Sequence, residues 1–79
     1  MTNTIEQIKG LINLDHWIGL VAHRAVGAIS LYEDGSLPRE AFEHTIRVLI
    51  GEMPAAPSLE VMEEKFQLNS LLERLLTEI

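Results

Sequence analysis

Tyr32 to Glu43, YEDGSLPREAFE, is the stretch of this chain that comes nearest to a ligand-binding motif. Acidic residues precede a glycine, an aliphatic residue follows, and a helix start comes next, as in the exit half of a calcium loop. In such a site a glycine at loop position six fixes the register around the oxygen ligands. With Gly35 at six, Ser30 falls at one, Tyr32 at three, Asp34 at five and Ala41 at twelve. Pro38 falls at nine. The carboxylates needed at three and twelve are missing, and calcium requires six to eight oxygens. The stretch reads instead as a corner between two helices. Gly35 ends the first helix in a left-handed conformation. Ser36 or Leu37 begins the next, with Pro38 in its first turn, where a missing N–H costs nothing.

The three histidines are the other candidates for chemistry. His16 and His23 share a helix face but stand about 10.5 Å apart in rise, too far to chelate one ion comfortably. His44 joins them only through tertiary folding. Neither H-E-x-x-H nor a Glu-x-x-His pair is present, and those spacings are what put metal ligands on one helix face. Helix contacts or the surface are the expected places for these imidazoles, where they would make association sensitive to pH. There is no cysteine, hence no thiolate nucleophile, disulfide or thiolate zinc site. No G-x-S-x-G occurs, and Ser30 lies in an apolar helix. The five glycines are isolated and form no phosphate cradle. Glu63 and Glu64 point in different directions on a helix and read as a solvated face. The sequence therefore predicts no catalytic residue, no cofactor and no metal ligand, and a protein that is not an enzyme.

Size and charge narrow the alternatives. The 79 residues make one domain, 1–79, and a core this small supplies only about 3–5 kcal/mol. Without disulfides, its support must come from helix packing or from a partner chain. The formal charge is −6. The excess lies after residue 51, where Glu52, Glu60, Glu63, Glu64, Glu73 and Glu78 face only Lys65 and Arg74. Lys9, Arg24, Arg39, Arg47, Lys65 and Arg74 lie singly, whereas direct nucleic-acid binding needs clustered cations. An anionic membrane surface is disfavoured on the same ground. The segment MTNTIEQIKG lacks the basic-then-apolar order of a secretion signal. No apolar run approaches bilayer-spanning length, so a cytoplasmic protein is expected.

The elements that would position these residues are helices. The first is expected to start at Asn3 or Thr4, each with a Glu or Gln three residues on. Ile5, Ile8, Leu11 and Ile12 follow at helical spacing. Asn13–Leu14–Asp15 marks a break, with Asp15 able to cap the next helix; a single kinked helix is the alternative. The second helix, about 16 to 33, is apolar around most of its circumference, so it is either central or meets another subunit on one side. Gly19 and Gly27 each cost about 1 kcal/mol against alanine there, and close approach by a neighbouring helix is the expected return. The third runs from about Pro38 to Met53, with a Glu43–Arg47 pair in the favourable order. Pro54 and Pro57 hold a stiff connector. Ser58 caps the last helix, expected as one element of about twenty residues with a kink near Asn69, although Ser70–Glu73 has the form of a capping box that could divide it.

The sequence thus predicts an all-α fold, a small antiparallel bundle of about four helices. Its expected core is Ile8, Ile12, Trp17, Leu20, Val21, Ile29, Phe42, Ile46, Leu49, Phe66, Leu72 and Leu75. The expected function is a small acidic protein-interaction module that regulates, inhibits or assembles a larger protein, with a homodimer as one form open to it. Candidate anchors, where exposed, are Trp17, Tyr32, Leu71, Leu75 and Leu76, with Glu60, Glu63 and Glu64 as a rim for a basic patch. A second reading is a phage-type anti-defence protein: an acidic decoy for the nucleic-acid groove of a basic nucleoprotein, with carboxylates at phosphate-like spacing on one face. A third is a metal or catalytic accessory role for His16, His23 and His44.

Overall fold

Each apolar stripe becomes a helix. The computed structural model describes residues 2–14, 16–54 and 58–79. Over these the chain forms α1 (Thr2–Lys9), α2 (Trp17–Glu33), α3 (Arg39–Gly51) and α4 (Leu59–Glu78), and no strand is present among the described residues. α2 and α4 each pack on all three other helices, whereas α1 and α3 do not touch. The protein is a small all-α bundle whose core is shared by α2 and α4, with α1 and α3 on either side of that pair.

The core repeats at steps of four and three. Ile18, Ala22, Ala25 and Ile29 of α2 meet Phe42, Ile46 and Leu49 of α3 and Leu68, Leu72 and Leu75 of α4, all buried. Those steps keep one narrow seam of each helix turned inward. α1 adds Ile5 and Ile8, and Leu11 follows from the turn beyond it. Ile12, Trp17 and Val21, expected in the core, are only partly buried against it. Two expected core residues are outside it: Leu20 is 57% exposed and Phe66 73% exposed. Their places are taken by Ala22, Ala25 and Ala28 on α2 and by Leu68 and Leu71 on α4. On a helix apolar nearly all round, hydrophobicity does not say which face turns inward. Here the alanine face does, and small side chains let helices approach closely.

The links follow local chemistry. α1 begins at Thr2, and Thr4 is buried inside it rather than capping it. After Lys9 the chain turns, with the Leu11 N–H donating to the Ile8 carbonyl at 3.0 Å and Leu14 to Leu11 at 3.3 Å. Asp15, expected to cap α2, lies outside the described residues. The cap that forms is His16, whose Nδ1 accepts from the Ile18 N–H at 3.3 Å. Gly19 sits where a Cβ would stand 2.3 Å from the Leu14 carbonyl oxygen, so the α1–α2 link rests directly on the first turn of α2. The close approach expected at Gly19 is real, but it comes from that link and not from a helix. At Gly27 no described atom apart from the helix's own backbone lies within 4 Å of where a Cβ would stand, and the close neighbour expected there is missing from the described residues of this chain.

Gly35 ends α2 at φ 85°, the left-handed corner expected of it. Its N–H donates to the Tyr32 carbonyl, and Leu37 closes the corner on Leu31 at 3.0 Å. Asp34 Oδ1 accepts from the Ser36 N–H at 2.8 Å. Hydrogen bonding from Ser36 holds the Asp34 carboxyl below its ordinary range. The carboxylate of the calcium-like stretch therefore closes a turn. Pro38 stands one place earlier than expected, as the N-cap of α3, where its carbonyl accepts from the Phe42 N–H at 2.9 Å. α3 stops at Gly51, short of Met53. Glu43 pairs with Arg39 at 3.3 Å in place of Arg47. Residues 55–57, including Pro57 of the expected connector, lie outside the described residues. Ser58 Oγ caps α4 by accepting from the Val61 N–H at 3.3 Å, and α4 runs unbroken for 20 residues past Asn69 and Ser70.

Candidate interaction surface

α4 carries two apolar faces. Its second half turns Leu68, Leu71, Leu72 and Leu75 into the core. Its first two turns present Leu59, Met62 and Phe66 to solvent, at 77%, 51% and 73% exposure. At about 100° per residue, these three lie on the side of the helix opposite the buried four. No rotation of α4 could bury both sets in this chain. Glu60 and Glu63 are exposed beside the triplet, and Lys65 stands on the other flank, its ammonium donating to the Pro54 carbonyl at 2.8 Å. Beyond Phe66 the same outward side becomes polar with Ser70, Glu73 and Thr77.

The expected anchors fall in different places. Leu71 and Leu75 are buried in the core and are not available to a partner of the folded chain. Leu76 is partly buried against the same core. Tyr32 is half-buried and stacks on Phe42, ring centroids 4.5 Å apart and 13° from parallel, which makes it a clamp between α2 and α3. Trp17 is half-buried and, with Ile12, Leu14, His16, Gly19, Leu20 and His23, lines an open, mostly apolar hollow of about 550 Å³. Of the expected rim, Glu60 and Glu63 are exposed, whereas Glu64 is partly buried and receives a hydrogen bond from His16 Nε2.

That last contact organises the first half of α4. Because His16 Nδ1 accepts from Ile18, its proton sits on Nε2 and points at the Glu64 carboxylate. One imidazole thus starts α2 and tethers α4. His23 and His44 are exposed on α2 and α3. Among the described residues no group of three or more His, Cys, Asp or Glu is placed to hold a metal ion, and the three histidines do not converge. No helix among the described residues is long and apolar enough to cross a membrane.

The signal that finds the exposed triplet was present in the sequence. Leu59, Met62 and Phe66 recur at steps of three and four, a seam of their own, out of phase with 68/72/75. Merged with the leucines, they look like one broad stripe. Comparison with protein-family models, with curated proteins and with solved structures gave no match.

Proposed function

We propose that this protein is a small acidic interaction module that docks on a larger protein through the outward face of the first half of α4. The observation that carries the reading is the exposed Leu59–Met62–Phe66 seam opposite the core. Among the described residues these large apolar side chains stand exposed on one helix face, and anchors at such steps suit a groove that receives a helix. The exposed carboxylates Glu60 and Glu63 lie along one flank, so the fitting groove is apolar and edged on that side with Lys or Arg. Binding there would regulate, inhibit or assemble the larger protein.

The test is a photo-crosslinking residue placed at Met62 in the native host. A discrete adduct is expected, lost on Phe66→Ser and weakened by added salt. No adduct at Met62, or the same adducts from a crosslinker at His44 on α3, would end the reading.

A further inference from the structure

The outer face of α2 carries a second unpartnered surface, and its chemistry fits a second copy of this chain. Leu20 and Leu31 are 57% and 48% exposed. With Arg24 and Gly27, both exposed, they fall at steps of four, three and four, the seam of a helix facing another helix. Gly27 is unexplained within the chain. It lies in the middle of α2, where glycine costs about 1 kcal/mol against alanine, and among the described residues a Cβ there would meet nothing beyond the helix's own backbone. The bare backbone leaves room for an approaching helix that the described residues do not supply.

Charge selects the occupant. The protein bears −6 overall, yet α2 from Trp17 to Tyr32 contains no Asp or Glu. This face therefore lets two copies meet without setting carboxylate against carboxylate, as the α4 face with Glu60 and Glu63 would not. The pattern is also self-complementary. About a twofold axis between Ala25 and Val26, an antiparallel pair sets Leu20 of one copy against Leu31 of the other. The same operation sets Arg24 against Gly27, so the long arginine stem lies over the bare backbone with its guanidinium at the wet edge. Leu31 of the second copy then arrives at the lip of the hollow formed by Trp17 and Leu20.

We infer that the protein forms a twofold antiparallel homodimer through the outer face of α2, with Leu20, Arg24, Gly27 and Leu31 as its seam. This goes beyond the docking role of α4 and does not depend on it.

The full chain is followed by sedimentation equilibrium from micromolar to millimolar concentration, at low and high salt. The expected result is a monomer–dimer equilibrium that tightens with salt, because screening weakens repulsion between two acidic chains. Emission of Trp17, the single tryptophan, should shift to the blue as the dimer forms. Leu31→Glu, a change at an exposed position, is expected to weaken dimerisation by about tenfold or more, since it sets a charge against an apolar contact, and Phe66→Ser to leave it unchanged. The chain lacks cysteine, so an equimolar mixture of Leu20→Cys and Leu31→Cys chains can be oxidised cleanly. It should give the mixed disulfide faster than either chain pairs with itself. A monomer at every concentration, a dimer abolished by Phe66→Ser but not by Leu31→Glu, or like-with-like disulfides at equal rates would each overturn the proposal.

Discussion

The two halves of α4 have similar apolar content and largely opposite fates. From Leu68 to Leu75 the leucines face inward and are buried; between Leu59 and Phe66 only Val61 packs partly against the core, while Leu59, Met62 and Phe66 face outward and remain wet. α2 shows the same division between its faces: Ile18, Ala22, Ala25 and Ile29 inside, Leu20 and Leu31 outside. Hydrophobicity alone does not distinguish the members of either pair. What differs is phase, the side of the helix on which each seam falls. A bundle of four short helices has room for one inward seam per helix, so a second seam in another phase is left at the surface.

The sharpest way to break this comparison is to truncate one leucine from the inward half. Leu72 is fully buried, and Leu72→Ala should cost about 2–5 kcal/mol. In a domain of this length each kcal/mol lowers the melting temperature by about 4–8 °C. Thermal melts followed by circular dichroism should therefore show a large drop or a chain already unfolded at room temperature. A drop of only a few degrees would mean that the inward seam is not what holds the bundle.

α2 offers a paired test with two glycines on one helix. Gly19→Ala forces a methyl against the Leu14 carbonyl, 2.3 Å away, with the Ile12 carbonyl at 3.2 Å. Backbone gives way poorly, so a loss of about 1–3 kcal/mol is expected. Gly27→Ala meets open space, and at concentrations where the protein is monomeric it should raise stability by up to about 1 kcal/mol. Denaturant titration of both variants reads the signs directly. Equal effects would remove the distinction between a glycine held by its own chain and one left for another. A Gly27→Ala gain that disappears as protein concentration rises would sharpen it.

How much of this was readable beforehand follows from the same point about phase. The four helices, the left-handed turn at Gly35 and the Ser58 cap were legible because each rests on local chemistry: periodicity, a residue without a side chain, a hydroxyl beside free N–H groups. Leu72, Ile46 and Phe42 were legible because α3 and the second half of α4 carry one seam each. Leu20 and Phe66 were misplaced in the core for the opposite reason, since a helix with two seams gives two admissible rotations. The reach of His16 to Glu64 across 48 residues of sequence depended on how α2 and α4 pack. No local pattern announces such a contact. The alanine face of α2 was overlooked because side-chain size is a poor guide to burial where helices approach closely.

The smallest expected effect is the most discriminating for the outward half of α4. Phe66→Ser exchanges a large ring for a small polar group. The two residues have nearly the same helix propensity, so the change in stability reports on what surrounds the ring. Because Phe66 is 73% exposed, the change should fall within about 0.5 kcal/mol of zero, measured by chemical denaturation. A loss near the scale of Leu72→Ala would mean that the ring is covered in the free protein, and that the two halves of α4 do not differ as their phases indicate. A negligible loss combined with disappearance of the Met62 crosslink would separate the two roles cleanly. The inward leucines would then make the fold, and the outward triplet would be held in readiness for something that is not part of it.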